Sequence, residues 1–423
     1  MKKVRSIFKS DFVRHVSILM SGTAIAQLCS FAFIPVISRF YTEEAFGVFA
    51  SYMAVVSLLS SFVTLKYDTA LILPKDDNEA YALLKLSNIV SLFLIILFSV
   101  ILFLPIAFFD TYRELKWLLA LGTILSVNFN NSALLNIRFK QFKITSLAKI
   151  IQVIAVFVFQ VICFYYYEIE GLMYGNILGV LVSNCYMVLN RKLEWKVYRN
   201  ISYMEMRTVA IRYKDFPMFF TLSNMISSLN SNLPVLFFAR FFSLVQVGIY
   251  GMALKVITQP VTLIAESFKS VILSHMNNKK NEDLLILKWY MKVVFFLLLI
   301  AIVGCIFLYL LGDSLIILFL GKKWIGVSLY IKLMIPLFVS LMIATPSTAA
   351  VRVFEMQRYS LFFAVVSLVI TLIFFSVFYL LKFDLEKIVL YNSFLYFIMV
   401  LFNHAFIIKR IYNYDKDVYK KSI

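Results

Sequence analysis

Lys255 stands ten residues into an apolar stretch. No acid occupies the i±3 or i±4 positions that would face it on a helix. An ammonium in such a run is costly and marks a functional position by default. Two chemistries fit it: contact with an anionic ligand in a polar lumen, or an ion pair with an acid on another helix. Arg39 and Arg240 each end an apolar run and each follow a proline, Pro35 and Pro234, which can kink a helix. They read either as interface anchors or as a cation pair at the outer mouth of a cleft. Asp68 and Glu266 sit at the inner ends of two other runs. They read as carriers of a coupling ion, H+ or Na+, or as partners for Lys66 and Lys269. Gln27, Asn230 and Gln259 lie inside apolar runs, as do Asn128, Asn131, Gln152, Asn392 and Asn403. Such amides bridge helices or bind sugar hydroxyls. His404 reads as a hydrogen-bonded packing residue.

Other chemistries lack their residues. The sequence has no GxxxxGK[ST] phosphate loop, no HExxH and no GxSxG. It holds three histidines, and its four cysteines (Cys29, Cys163, Cys185 and Cys305) lie in apolar stretches without a CxxC pair. Neither an enzyme nor a metal or organic cofactor is indicated.

The elements that must position these residues are membrane helices. Of 423 residues 62% are hydrophobic and 15% charged, against about 25% charged in soluble domains. A spanning helix takes about 20 mostly apolar residues. Twelve such runs occur: 16–38, 46–65, 83–109, 117–136, 147–167, 172–189, 217–240, 245–268, 289–312, 328–351, 360–381 and 389–408. They do not alternate, so a β-barrel is excluded. The first run is too long for a signal peptide and reads as a retained span. Pro260, Pro336 and Pro346 are expected to break their runs.

The formal charge is +18, which in a soluble chain would suggest nucleic-acid binding. Threaded through twelve spans, 31 of the 41 lysines and arginines fall on the side of the N-terminus and 9 opposite. The positive-inside rule then places both termini in the cytoplasm. The charge sets orientation and attracts membrane lipids, and no nucleic acid is implied.

The halves repeat. Arg39-Phe40-Tyr41-Thr42 with Gly47-Val48-Phe49 is answered, 201 residues on, by Arg240-Phe241-Phe242-Ser243 with Gly248-Ile249-Tyr250. Each half holds six spans and enters from the same side, so the repeat is parallel. The chain divides into a six-helix bundle at 1–190, a cytoplasmic amphipathic linker at 191–216 and a second six-helix bundle at 217–423. Two such bundles facing a central cleft can rock to give alternating access.

The motif Arg39-Phe40-Tyr41-Thr42 with Phe46-Gly47-Val48, followed by Tyr67-Asp68-Thr69-Ala70-Leu71-Ile72-Leu73-Pro74, resembles the amino-terminal signature of Wzx-type polysaccharide flippases. These belong to the multidrug/oligosaccharidyl-lipid/polysaccharide superfamily. Asp215-Phe216-Pro217 and Leu229-Asn230-Ser231-Asn232-Leu233-Pro234-Val235 extend the resemblance into the second half. It implies a MATE-like, twelve-helix inner-membrane flippase. Such a protein moves an undecaprenyl-pyrophosphate-linked oligosaccharide repeat outward for O-antigen or capsule assembly, beside other polysaccharide assembly proteins. Lys255, Arg39 and Arg240 would meet the pyrophosphate, and Asn230, Gln259 and Gln27 the sugars. The alternatives are a multidrug/cation antiporter of the same superfamily and a membrane polysaccharide polymerase or glycosyltransferase. The antiporter calls for an acidic lumen, and the polymerase for a large outer loop that this sequence lacks.

Overall fold

The computed structural model describes residues 11–103, 116–191 and 195–422. Among these, every regular element is helical. Six long helices lie in the first half: α1 (Asp11–Phe40), α2 (Glu43–Phe62), α3 (Asp77–Phe103), α4 (Lys116–Arg138), α5 (Phe142–Tyr167) and α6 (Gly171–Asn190). Six more follow: α7 (Thr221–Phe241), α8 (Leu244–Asn281), α9 (Leu287–Leu320), α10 (Ile335–Val353), α11 (Gln357–Leu380) and α12 (Leu385–Ser422). A long helix stands at each of the twelve expected runs, and the 328–351 run holds a second, shorter one as well. The far end of the 83–109 run lies outside the described residues.

Among the described residues ten stretches are long and apolar enough to cross a membrane, α5 and α6 counting as one. Helix α7 is not among them. It carries Ser223, Asn224, Ser227, Ser228, Asn230, Ser231 and Asn232 in three turns, which lowers its hydropathy below that of its neighbours. Apolar side chains stand exposed along the helices, as at Val303, Leu310 and Leu318 of α9. Exposed apolar surface of this extent is stable only in lipid. The chain is an all-α, multi-pass membrane protein.

The chain forms two compact units, 1–248 and 249–423. In the first, α5 and α6 make the closest helix pair. Gly171, Gly175 and Gly179 space one face of α6 at every fourth residue. A Cβ on Gly175 would lie 2.5 Å from the backbone nitrogen of Gln160. Without side chains there, the two backbones approach to van der Waals contact, the packing that drives association in lipid. Helix α1 lies against α5 through stacked Phe33 and Phe157, 4.1 Å between ring centroids. In the second unit α9 and α12 pack on α10.

The 191–216 stretch forms two short helices, Trp195–Asn200 and Tyr203–Arg212, docked on α3. The Lys85 ammonium donates to the Arg199 carbonyl (3.1 Å) and the Ile201 carbonyl (2.8 Å) at the end of the first. Ile201 and Val209 are buried with Tyr67, Leu71 and Tyr81. Glu205 and Ser202 form a reciprocal capping box at the start of the second.

Of the three prolines expected to break their runs, one does and two do not. Residues 328–351 do not form one helix: Ile325–Leu333 ends at Met334, and α10 starts afresh at Ile335. Pro336 explains the break, because it has no N–H to continue the preceding helix but fits a first turn. Pro260 and Pro346, expected to break their runs, lie inside unbroken helices.

Candidate functional site

The candidate residues divide between the two units. Arg39, Gln27, Asp68, Asn230 and Arg240 belong to the first, and Lys255, Gln259 and Glu266 to the second. Glu266 falls within α8, but its side chain lies outside the described residues.

Lys255 is half-buried on α8. Among the described residues it makes no hydrogen bond or ion pair with the protein. The carboxylate partner that one reading required is therefore not found among them. Gln259 lies one turn further along the same face, and its Oε1 is buried with no hydrogen-bond partner. A buried amide oxygen left unsatisfied costs about 1–3 kcal/mol. An ammonium and an unsatisfied amide one turn apart make a polar face suited to an anionic, hydroxyl-rich ligand.

In the first unit α1 and α5 bring together a pair that the apolar pattern does not single out. The Lys149 ammonium donates to the Thr23 hydroxyl at 2.9 Å. Gln27 is half-buried one turn beyond Thr23, and Gln152 three residues beyond Lys149. By hydropathy alone Lys149 falls with the loop cations, because the apolar run begins only two residues before it. The helix in fact begins at Phe142, which places Lys149 in its third turn. Helical propensity running past the apolar run is the signal that could have found it.

Helix α7 presents its amides and hydroxyls beside α2. Asn232 Nδ2 donates to the Ser228 carbonyl (2.8 Å) and reaches the Ser57 hydroxyl (3.4 Å). Asn230 is half-buried on the same helix. Arg39 and Arg240 are exposed in the last turns of α1 and α7.

Asp68 is 6% exposed, and its carboxylate accepts from the Thr64 hydroxyl at 2.9 Å. Its expected ion pair with Lys66 is not formed. Leu65 and Lys66 take left-handed backbone angles, φ 46° and 56°, and this turn leads into the short helix that opens beside Asp68. Two non-glycine residues in that region cost of order 1–3 kcal/mol each, so packing around Asp68 holds the turn.

The repeat is visible in one contact of the first unit. Gly47 in the first turns of α2 and Gly248 in those of α8 face each other. A Cβ on Gly47 would overlap the Leu244 carbonyl, and one on Gly248 the Glu43 carbonyl. Residues 43 and 244, like 47 and 248, are one repeat apart. The contact is thus isologous, each helix offering the same backbone patch to the other.

Two buried polar joints form networks that no local motif announces. In α9, α10 and α12, the Tyr290 hydroxyl lies 2.8 Å from His404 Nδ1 and 3.1 Å from the Ser347 hydroxyl. His404 Nε2 lies 2.9 Å from the Ile343 carbonyl. That carbonyl can only accept, so a neutral His404 carries its proton on Nε2 and accepts from Tyr290 at Nδ1. In α3 and α4, Asn131 Nδ2 donates to Asn88 Oδ1 (2.8 Å) and Ser87 Oγ (3.3 Å). His404 is the hydrogen-bonded packing residue its sequence context implied. Among the described residues no group of three His, Cys, Asp or Glu side chains is placed to hold a metal.

Comparison with known proteins decides the family. The model of a family described as polysaccharide biosynthesis protein matches residues 36–329, more than two thirds of the chain. The chain belongs to this polysaccharide biosynthesis protein family. No curated protein matches it. Among solved structures, this chain is similar to the lipid II flippase MurJ in an inward closed conformation. That match has a TM-score of 0.72 at 14% identity, covering 95% of this chain and 90% of that one. An inward-facing MATE-family multidrug resistance transporter of the MOP superfamily gives a TM-score of 0.69 at 14% identity, covering 94% and 95%. A MOP superfamily transporter from Pyrococcus furiosus, whose reversed pocket polarity suggests a different function, gives 0.58 at 14% identity, covering 95% of each chain. The chain has the fold of MOP superfamily transporters.

Proposed function

We propose that this protein is a flippase for an undecaprenyl-pyrophosphate-linked oligosaccharide repeat. On this reading it carries the repeat by alternating access from the cytoplasmic to the outer leaflet of a bacterial inner membrane, for O-antigen or capsule assembly. The family and the fold shared with a lipid II flippase support a lipid-linked substrate. The observation that carries the reading is the Lys255–Gln259 face of α8. Lys255 has no carboxylate partner among the described residues, and the Gln259 amide oxygen is unsatisfied. A dianionic pyrophosphate supplies what the ammonium lacks, and sugar hydroxyls supply what the amide lacks.

The same reading assigns Arg39 and Arg240 to the substrate's path and Asn230 and Gln27 to its sugars. Asp68 and Glu266 are its candidates for H+ or Na+ coupling. It takes 1–190 and 217–423 as the repeated bundles and puts both termini in the cytoplasm, as the 31 cations on that side require.

The test is surface polysaccharide in cells whose only copy of the gene carries Lys255→Ala. The expected result is a deficit in surface polysaccharide, with lipid-linked repeat accumulating at normal protein level. Wild-type surface polysaccharide in that strain would remove Lys255 from the site. Drug hypersensitivity of the deletion strain with normal polysaccharide would favour an antiporter instead.

A further inference from the structure

Helix α9 begins with a face ordered like a lipid. Lys288 and Lys292 stand one turn apart with Met291 between them, followed on the same side by Phe295 and Leu299. All five are exposed, and Phe295 is 60% accessible. At about 1.5 Å per residue, the run from Lys292 to Leu299 covers about 10 Å of helix. Cations thus give way to apolar side chains along the direction in which α9 enters the membrane.

This face opens a groove of about 650 Å³ lined by Leu285, Leu287, Lys288, Met291, Lys292, Phe295 and Asp415. The one acid among them is already engaged. The two carboxylate oxygens of Asp415, from the end of α12, accept from the Ile286 and Leu287 N–H groups at 2.9 Å each. They cap the start of α9. Lys288 and Lys292 make no ion pair among the described residues. Lys279 adds a third ammonium at the rim, donating to the Leu285 carbonyl at 3.0 Å.

We propose that this groove binds an anionic phospholipid, its phosphate between Lys288 and Lys292 and an acyl chain along Met291 and Phe295. Basic pockets beside membrane helices recognise lipid headgroups in this way. The order of charge and apolar surface selects an amphiphile over a free anion. The groove lining holds two ammonium groups and one carboxylate that is already engaged by backbone N–H groups, and this balance selects an anionic headgroup over a zwitterionic one. The site shares no residue with the Lys255 face and is independent of the transported substrate.

Native mass spectrometry of the full chain tests it, with detergent-solubilised protein titrated with phosphatidylglycerol, phosphatidylcholine or inorganic phosphate. Each lysine near an anionic lipid contributes about a fivefold gain in affinity. The Lys288→Gln/Lys292→Gln variant is therefore expected to bind phosphatidylglycerol about 25-fold more weakly, with phosphatidylcholine binding unchanged. Lys382→Gln/Lys387→Gln, elsewhere in the same unit, should leave both unchanged. Equal phosphatidylglycerol occupancy in the groove variant and the wild type would overturn the proposal. So would displacement of the lipid by millimolar inorganic phosphate, which would reveal a simple anion site. If the double variant melts early without lipid, Phe295→Ser tests the acyl half of the groove. Loss of lipid retention supports the site, and full retention contradicts it.

Discussion

At the scale of single residues, buried polar groups in this protein fall into two kinds. Some are satisfied by other helices and hold the fold; others are left open. Tyr290, Ser347 and His404 are of the first kind, since each finds partners within 3.2 Å. Tyr290→Phe removes one donor and leaves His404 Nδ1 to Ser347 alone, at a cost of about 1–3 kcal/mol. The melting temperature of the solubilised variant should fall while transport by the folded fraction persists. An unchanged melting temperature would show that the joint carries no stability. Lys255 and Gln259 are of the second kind, which is why their substitution is expected to change polysaccharide export and not protein level. Lys255 was legible from sequence because a lone cation in an apolar run is costly to bury and has no acid at helical spacing to offset it. Lys149 was not, since it stands where apolar run and helix end at different residues. Asp68 was legible as an acid at the end of an apolar run, but its burial and its partner were not. The left-handed turn at Leu65 and Lys66, which no local pattern announced, delivers it to Thr64 in place of Lys66.

At the scale of elements, contacts between backbones decide what can be changed. Gly47→Val and Gly248→Val each set a branched side chain against the carbonyl of the other helix. Each is expected to force residues 43–47 and 244–248 apart and abolish export, whereas Gly321→Ala, where a Cβ meets open space but φ is 99°, should cost only local strain. Normal export by both valine variants would show that the contact is not needed. The short helix Tyr203–Arg212 gives a pH test. Ser202, through its N–H and hydroxyl, holds the Glu205 carboxyl below its ordinary value. A carboxylate depressed in the folded state stabilises above its unfolded pKa and stops doing so as the pH falls through the folded one. The protection factors of the first-turn amides, with exchange taken relative to its intrinsic rate at each pH, should therefore be high at neutral pH and fall under acid conditions. Glu205→Ala, which removes the acceptor, should lower them at both. Hydropathy located all twelve long helices but not their ends. Helices α8 and α12 continue through charged residues to Asn281 and Ser422, because Lys, Glu and Asn do not stop a helix merely by leaving the bilayer. The docking of 195–212 on α3 was likewise hidden. It depends on Lys85 reaching carbonyls more than a hundred residues away, a pairing with no sequence signature.

At the scale of the whole molecule, composition carried the reading furthest. A chain with this much apolar surface must be a bundle of membrane helices, since no other described element could satisfy its backbone in lipid. The 201-residue repeat was readable as matched motifs. The transported molecule is not written in the fold, which MATE transporters and a lipid II flippase share at 14% identity. Only the chemistry of particular residues argues for a lipid-linked oligosaccharide. The most direct measurement is reconstitution of the purified protein into liposomes containing undecaprenyl-pyrophosphate-linked oligosaccharide. Loss of protection from an added membrane-impermeant glycosidase would then report movement between leaflets. The account predicts that wild-type protein exposes the protected pool faster than empty liposomes and faster than Lys255→Ala. Exposure by the wild type at the rate of empty liposomes would contradict it.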